Sequence, residues 1–293
     1  MKKALVIINP HAGRMKIMRD IADVDMILYD GGFEPDIYFT KSRGDATRKV
    51  IESGSNYDLI VCGGGDGTYN EVMSGILDAG LCVSVGYIPA GTTNDFATTL
   101  NLSFSHKSAA QRIIMGKPCE IDVGRFDNRY FSYIASFGAF TSASYSANQK
   151  TKNTLGHTAY ILEGIKDLSS LRPYHVKVET DTERFEDDFI FGAVCNSKSI
   201  AGIIKLDDRI VDLSDGFFEL VLLRMPKQII DLPKMLVALQ NGDSSDKNVV
   251  FVHTKKVSIE TEGKLNWALD GEKAESVGRV EIENLNKAIS IML

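Results

Sequence analysis

The sequence predicts a two-domain protein: an α/β domain with a doubly wound, mostly parallel sheet, followed by a β-sandwich-like domain. Up to about residue 122, short apolar runs alternate with helical patterns, which is typical of buried parallel strands joined by helices. After that residue, short alternating runs rich in aromatic and β-branched side chains are separated by turn residues, which favours a sandwich. We therefore expect domains at residues 1–122 and 123–293.

Four strands and four helices are expected in the first domain. The strands are predicted at residues 3–9, 34–40, 57–62 and 82–88, and the helices at residues 14–31, 45–53, 69–79 and 105–115. Gly31, Gly54 and Gly80 lie close to three helix ends, where glycine commonly terminates a helix.

Two helices are expected in the second domain, at residues 158–168 and 226–239, with Pro226 in the first turn of the later one. Turns are predicted at Asp127-Asn128, Asp181-Thr182 and Glu262-Gly263. The acidic residues 183–188 are interpreted as the exposed face of a hairpin.

Composition narrows the classes of function. The formal net charge is −6, and the lysines and arginines are not clustered, which argues against a nucleic-acid partner. The four cysteines form no C-x-x-C pair, so we expect reduced, mostly buried thiols rather than a zinc or dithiol site. The apolar run at residues 3–9 is interpreted as a strand rather than a signal segment, and no apolar stretch approaches the roughly 20 residues that span a bilayer.

The segment from Tyr57 to Glu71 is the most informative part of the chain. A buried strand leads into three consecutive glycines, Gly63 to Gly65, and then into a helix. Glycines let backbone N–H groups approach a phosphate, and the positive end of the following helix favours the anion. The spacing matches neither the usual dinucleotide-binding motif nor the P-loop. The segment therefore predicts a phosphate site of another type.

The motifs resemble those of the diacylglycerol-kinase catalytic-domain family, in its bacterial soluble lipid-kinase branch. The segment GGDGT-x-NE at residues 64–71 is the family's signature, and its GGDGT core is shared with NAD kinases. Three further segments match in order: NPHAG at residues 9–13, PAGTTNDFA at 89–97 and DGE at 270–272. The resemblance covers nearly the whole chain and implies an NAD-kinase/diacylglycerol-kinase-like fold.

The resemblance implies an ATP site at the carboxyl ends of the first-domain strands, where open parallel sheets bind ligands. The residues implied to line it are Asn9, Pro10, His11, Ala12, Gly13, Arg14, Thr40, Gly64, Gly65, Asp66, Gly67, Thr68, Asn70, Thr92 and Asp95. Asp66 and Asp95 would help to organise the Mg²⁺ of the nucleotide, and Asp66 is the leading catalytic candidate there. Taken alone, Asp66 would be interpreted as a helix cap.

The resemblance places the catalytic base at Glu272, contributed by the second domain. A lipid hydroxyl is a poor nucleophile until a base accepts its proton. Taken alone, Glu272 would be interpreted as a solvated turn residue, because Asp-Gly is a hairpin signal. We expect catalysis in a cleft between the domains.

The resemblance also implies a structural Mg²⁺ at residues 207–217. Asp212, Asp215 and Phe217 would supply the ligands, Asp215 through its carboxylate and the other two through backbone oxygens. Relatives often carry an aspartate where this chain has Ser214. A plain polar loop is therefore an equal alternative.

These observations favour a kinase that transfers the γ-phosphate of ATP to a lipid hydroxyl, with diacylglycerol as the expected acceptor and phosphatidic acid as product. A different lipid, such as another glycerolipid or a sphingoid base, is the first alternative, followed by NAD and by a non-enzymatic nucleotide- or lipid-binding regulator. The expected location is the cytoplasm, with transient attachment to the inner membrane face. A homodimer is left open.

Overall fold

The computed structural model of the chain describes residues 1–139, 171–197, 199–200, 204–205, 211–228, 230–241 and 246–293. They form two compact units. The first unit comprises Met1–Asp122 and Lys287–Leu293, and the second comprises Val123–Asn286. The second domain was expected to extend to residue 293, whereas residues 287–293 belong to the first unit.

The first unit contains a parallel sheet. Its strands are β1 (Lys2–Ile8), β2 (Phe33–Phe39), β3 (Leu59–Gly64) and β4 (Ser84–Pro89), in the order β2-β1-β3-β4. All three pairings are parallel. A further parallel strand is added beside β4 by the C-terminal segment, where Ser290 pairs with Ser84 and Ile291 with Val85.

Helices flank this sheet. They are α1 (Ile17–Asp30), α2 (Asp45–Ser53), α3 (Asp66–Asp78), α4 (Asp95–Thr99) and α5 (His106–Met115). Residues of α1 and α5 share a buried cluster with Ala4, Val6 and Ile8 of β1. The alternate residues Leu5 and Ile7 are equally buried, so both faces of the strand are covered. The predicted doubly wound, mostly parallel α/β class is confirmed.

Several predicted boundaries of the first unit shift for local reasons. The helix predicted at residues 14–31 is divided into a 3-10 turn at Ala12–Met15 and α1, because Met15 has φ +63 and interrupts the helical path. The helix predicted from residue 69 begins at Asp66, directly after the glycines. The short helix α4 was not predicted, and α2 spans the expected residues 45–53.

The second unit is built from antiparallel strands. They are β5 (Pro118–Phe126, which begins in the first unit), β6 (Arg129–Phe131), β7 (Ile134–Gly138), β8 (Tyr174–Thr180), β9 (Arg184–Cys195), β10 (Ser199–Ile200), β11 (Ile204–Lys205), β12 (Phe218–Arg224), β13 (Val249–Thr254), β14 (Lys256–Leu269) and β15 (Glu272–Met292, which ends in the first unit). The main order is β13-β12-β9-β7-β14-β15, and β8 also pairs with both β9 and β14. Phe137 and Trp267 pack edge to face in the buried core, with their ring centroids 5.0 Å apart.

Two second-domain expectations differ from the structure, and a third falls outside the described residues. Residues Glu262 and Gly263 form no turn but lie inside β14, where the register against β15 shifts between Glu260 and Lys264, as in a β-bulge. The helix predicted at 226–239 is α6 (Asp231–Gln240), whose first turn contains Pro233. The helix predicted at 158–168 lies outside the described residues.

The cysteines and the hairpin complete the comparison. Cys62 and Cys195 are buried but Cys82 and Cys119 are exposed, so the expectation of mostly buried thiols holds for half of them; all four are free.

Residues 184–188 of β9 alternate between exposed and half-buried in a hairpin with β8, as expected of an exposed acidic face. In the described part of the chain, no helix combines the length and apolar character needed to cross a membrane.

Candidate functional site

The loops that follow the first-unit strands are joined by backbone hydrogen bonds at the carboxyl edge of the sheet. The Asn9 N–H donates to the Gly63 oxygen at 2.9 Å, and the Ala90 N–H donates to the Gly64 oxygen at 2.7 Å. The Thr40 N–H donates to the Ile8 oxygen at 2.9 Å. The backbone hydrogen bonding of the sheet therefore continues into the motif segments that follow the strands. These segments lie at the edge where open parallel sheets bind ligands.

Glycines allow these loops to touch. Gly13 has φ +51, and a Cβ on it would lie 2.0 Å from the Ala90 oxygen. A Cβ on Gly91 would lie 2.6 Å from the Gly65 Cα. Any larger residue at these positions would force the backbones apart. The NPHAG, GGDGT and PAGTTND segments thus meet through backbone contacts that only glycine permits.

Asn9 links the first of these loops to the second. Its Oδ1 accepts a hydrogen bond from the His11 N–H at 3.0 Å, and its Nδ2 donates to the Thr68 Oγ1 at 3.2 Å. Thr68 is buried in the first turn of α3, whereas His11 is exposed. Asn9 therefore holds its loop in a fixed conformation against the start of α3.

Asp66 links the second loop to the third. Its Oδ2 accepts a hydrogen bond from the Asp95 N–H at 2.9 Å, and its Oδ1 accepts from the Phe96 N–H at 3.2 Å. These donors are the first N–H groups of α4, so Asp66 caps that helix across a gap of some thirty residues in sequence. The hydroxyl of Tyr87 donates to Oδ1 at 3.4 Å. Burial, followed by the charge of Asp66, raises the pKa of Tyr87 well above its usual value.

Two residues that sequence reasoning missed shape the same region. Asn94 adopts φ +54, accepts a hydrogen bond from the Gly91 N–H at 2.9 Å and donates to the Gly91 oxygen at 3.0 Å, which closes the turn before α4. Glu71 accepts from the Gly44 and Ala46 N–H groups at 2.7 and 3.2 Å and so caps α2. Both residues lie inside the matched motifs, and this position was the one sequence feature that could have identified them. The residue types alone do not predict either role.

The remaining expected nucleotide residues lie around these loops. Pro10, Ala12, Thr40, Gly65, Gly67, Asn70 and Asp95 are half-buried, Gly64 is buried and Thr92 is exposed. Arg14 is part of the 3-10 turn that follows the first loop. The half-buried glycines Gly65 and Gly67 flank the start of α3, where a helix presents unpaired N–H groups and a partial positive charge to an anion. The first unit therefore has the features of a phosphate cradle.

In the second unit, Asp270 and Gly271 form the two-residue turn between β14 and β15. They have φ +49 and +84, and Leu269 pairs with Glu272 across the turn, as in a type I′ hairpin. The Asp270 carboxylate is buried and accepts hydrogen bonds from the N–H groups of Ser132, Tyr133 and Ile134. This aspartate therefore fixes the turn to the segment before β7.

Glu272 follows that turn as the first residue of β15. Its side chain is 38% exposed, and its Oε2 lies 3.8 Å from the Arg129 Nη2. Arg129 also donates from Nη1 to the Lys273 oxygen at 3.2 Å. Glu272 is accessible to a reactant and held near a rigid turn. Asp66 and Glu272 belong to different units, and the expected cleft between domains stays a prediction.

The loop expected to hold a metal is compact. Asp212 Oδ1 accepts hydrogen bonds from the N–H and the hydroxyl of Ser214, both at 3.0 Å, and Asp215 Oδ1 accepts from the Phe217 N–H at 2.9 Å. The Phe217 oxygen, an expected ligand, accepts from Asn284 Nδ2 at 3.0 Å. Within the described ranges, no group of three or more His, Cys, Asp or Glu side chains could hold a metal.

Buried Glu219, at the start of β12, bears on whether this loop suits a cation. Burial raises its pKa to about 9, and the charges of Asp215 and Asp212 add to the shift. Its Oε2 has no hydrogen-bond partner among the described residues. The expected donors are the Asp212 and Phe217 backbone oxygens and the Asp215 carboxylate, which are hard oxygen ligands, and a divalent cation there would offset the charge of the two aspartates. These donors suit Mg²⁺ chemically, but among the described residues no third acidic side chain joins them, and occupation of the loop stays a prediction.

Replacing Gly13 by alanine tests the close packing of the loops. We expect Gly13→Ala to lower the free energy of unfolding by several kcal/mol, roughly 3, because a left-handed residue is strained and its Cβ would meet the Ala90 oxygen. Gly80→Ala is the matched control, with φ +60 and nothing within 4 Å of its Cβ, and should cost only about 1 kcal/mol. Thermal and urea unfolding measure both. Equal costs would contradict the contact.

Replacing Asp270 by asparagine tests the turn anchor. We expect Asp270→Asn to lower the free energy of unfolding by about 2–4 kcal/mol. The carboxylate accepts hydrogen bonds from backbone N–H groups, whereas the NH₂ group of asparagine would face those donors and could not accept from them. Asp127→Asn is the control, since Asp127 shares φ +49 and its exposed carboxylate accepts a hydrogen bond from the Glu281 N–H. Urea unfolding followed by Trp267 fluorescence measures both. A smaller loss for Asp270→Asn than for Asp127→Asn would refute the anchoring role.

Comparisons with known proteins agree with this geometry. Residues 3–126 match the family model described as diacylglycerol kinase catalytic domain, and residues 134–292 match the YegS C-terminal NAD kinase beta sandwich-like domain. The chain is 34% identical to the diacylglycerol kinase of Bacillus subtilis (strain 168), covering 93% of this chain and 90% of that protein. It is 32% identical to the enzyme of the same name from Staphylococcus saprophyticus, covering 92% and 89%.

Solved structures show the same fold. A crystal structure of a diacylglycerol kinase from Bacillus anthracis str. Sterne has a TM-score of 0.78 at 24% identity, covering 99% of this chain and 96% of that one. A second structure from that strain has a TM-score of 0.83 at 26% identity, with the same coverage. The predicted sandwich-like second domain and the resemblance read from the motifs are confirmed: the chain belongs to the diacylglycerol kinase catalytic-domain family.

Proposed function

We propose that this chain, a lipid kinase by its family, transfers the γ-phosphate of ATP to the free hydroxyl of diacylglycerol and produces phosphatidic acid. The observation that carries the proposal is the convergence of three glycine-lined loops at the carboxyl edge of the first-unit sheet. Phosphoryl transfer depends mainly on positioning and on electrostatic stabilisation of the phosphates. A rigid cradle of backbone N–H groups suits that task.

The nucleotide would lie against residues Asn9 to Arg14, Thr40, the GGDGT segment with Asn70, and Thr92. Asn9 and Asp66 act as positioning residues, because each ties one loop to the next through its side chain. Asp66 and Asp95 are the carboxylates expected to help organise Mg²⁺, which would offset phosphate charge when bound. Asp66 already bonds the start of α4, so replacing it would disturb both the loops and the ion site.

The proton of the acceptor hydroxyl would pass to the carboxylate of Glu272. This role requires an accessible group in a defined position, and Glu272 is half-exposed and follows a turn that Asp270 fixes. The neighbouring Arg129 limits the conformations that Glu272 can adopt. A metal at Asp212, Asp215 and Phe217 would have a structural role, because it would rigidify the loop before β12.

ATP and a membrane lipid meet at the inner face of the cytoplasmic membrane, so we place the reaction there, on a transiently attached enzyme. Two observations keep another acceptor under consideration. NAD kinases share the GGDGT core, and the second unit matches a model described as NAD kinase beta sandwich-like. Acceptor identity therefore has to be measured directly.

A panel of acceptors tests the reaction. The chain is incubated with ATP, Mg²⁺ and mixed micelles of diacylglycerol, with monoacylglycerol, sphingosine and NAD in parallel reactions. We expect phosphatidic acid to be the main product, because the four family motifs at residues 9–13, 64–71, 89–97 and 270–272 are present. Phosphorylated NAD without phosphorylated lipid would instead support an NAD kinase. Nucleotide binding without product from any acceptor would support a regulator.

Replacing Glu272 by glutamine tests the base. We expect Glu272→Gln to lower kcat by about 10²-fold or more while ATP binding is unchanged, because only proton acceptance is lost. Glu275→Gln is the control: Glu275 lies on the same strand, is exposed and pairs with Lys264 at 2.6 Å. Steady-state kinetics and calorimetric ATP titration measure the two effects. Activity retained by Glu272→Gln would remove this residue from the mechanism.

A further inference from the structure

A buried tyrosine that lies outside the matched motifs contacts Asp66. Tyr87 belongs to β4, two residues before the PAGTTNDFA segment, and is 1% exposed. Its hydroxyl donates to Asp66 Oδ1 at 3.4 Å. Burial raises the pKa of Tyr87 well above its usual value, so the hydroxyl keeps its proton and acts as the donor. The candidate site therefore includes a side chain that the motif resemblance does not assign.

The ring of Tyr87 is held by an aromatic cluster. Its centroid lies 4.9 Å from that of Tyr69 in the first turn of α3, and the Tyr69 centroid lies 4.8 Å from that of Phe96 in α4. All three residues are buried. Aromatic rings at such separations attract one another, and a close-packed side chain has little freedom to change its rotamer. The cluster therefore fixes the Tyr87 hydroxyl relative to the starts of α3 and α4.

Two different elements hold the carboxylate of Asp66. The N–H groups of Asp95 and Phe96 bond its two oxygens from α4, and the Tyr87 hydroxyl bonds Oδ1 from β4. Because the aromatic cluster joins these elements, a rotation of the carboxylate breaks at least one of the bonds. In metal sites, groups that hydrogen-bond to a ligating carboxylate set its orientation, and their loss typically lowers metal affinity roughly 10- to 100-fold. Tyr87 occupies such a place beside Asp66.

We propose that Tyr87 is a positioning residue for the Mg²⁺ of the bound nucleotide: its hydroxyl holds the Asp66 carboxylate in the orientation that the cation requires. The inference rests on the proposed function, in which Asp66 helps to organise this Mg²⁺. It concerns the nucleotide and its cation, so it applies to any acceptor. Mg²⁺ demands near-ideal octahedral geometry, whereas Ca²⁺ accepts oxygen ligands in flexible arrangements. Loss of the hydroxyl therefore weakens Mg²⁺ binding more than Ca²⁺ binding.

Replacing Tyr87 by phenylalanine removes the hydroxyl and keeps the ring. Binding of the non-hydrolysable analogue AMP-PNP is measured by calorimetry, without lipid, over a series of Mg²⁺ or Ca²⁺ concentrations. We expect Tyr87→Phe to raise the Mg²⁺ concentration for half-maximal binding about tenfold or more. The corresponding Ca²⁺ concentration should change much less. In the lipid kinase assay, the rate that is lost at low Mg²⁺ should return when Mg²⁺ is saturating.

Two controls separate the contact with Asp66 from general effects. Tyr57→Phe also removes a hydroxyl that donates to a carboxylate, that of Asp36, but Tyr57 precedes β3 and lies at the amino end of the sheet. Gly80→Ala changes a position with nothing within 4 Å of the added Cβ, and is expected to lower stability alone. Both variants should keep the Mg²⁺ requirement of the unaltered chain. Thermal unfolding measures the stability of every variant, so that a change in metal affinity is compared at known stability.

The outcomes distinguish this inference from the proposed function. An unchanged Mg²⁺ requirement in Tyr87→Phe would overturn the positioning role and leave the kinase proposal intact. Equal losses with Mg²⁺ and Ca²⁺, or equal losses in Tyr57→Phe, would overturn it in favour of general loosening of the unit. A selective Mg²⁺ defect in a chain that phosphorylates no lipid would uphold the role of Tyr87 and remove the proposed acceptor. Failure of the unaltered chain to bind AMP-PNP would overturn both.

Discussion

Close backbone contact between glycine-containing loops is the constraint on which the candidate site depends. Gly13 lies against Ala90, and Gly65 lies against Gly91, at separations that leave no room for a side chain. Two polar side chains then fasten the loops together: Asn9 reaches Thr68, and Asp66 reaches the start of α4. The parallel sheet brings the loops to one edge, and the glycines turn that proximity into a single rigid surface.

Much of the fold followed from periodicity, because buried parallel strands and amphipathic helices leave strong patterns in sequence. The helix at 45–53 and the parallel pairing of the first-unit strands are examples. Failures occurred where a single backbone angle or a distant partner decided the outcome. The left-handed Met15 interrupts the first helix, and α4 is capped by a residue far earlier in the chain. Neither leaves a local trace.

The candidate site was predicted through motif resemblance more than through physical reasoning. The general properties of aspartate suggested a cap at Asp66, and the structure shows that it does cap a helix, although not the one that follows it. Asp-Gly suggested a hairpin, and residues 270–271 form one. Both simple interpretations are compatible with function, because the same contacts that stabilise a turn or a helix also fix the position of a carboxylate.

The first-unit sheet is completed by residues from the far end of the chain. Ser290 and Ile291 pair in parallel with β4, and the backbone of Leu293 exchanges hydrogen bonds with that of Lys117. During synthesis, the first unit therefore lacks this strand beside β4 until residue 291 has left the ribosome. Until then, β4 presents an unpaired edge, the kind of surface that promotes association with other chains. Correct assembly of the first unit thus waits for translation of the second.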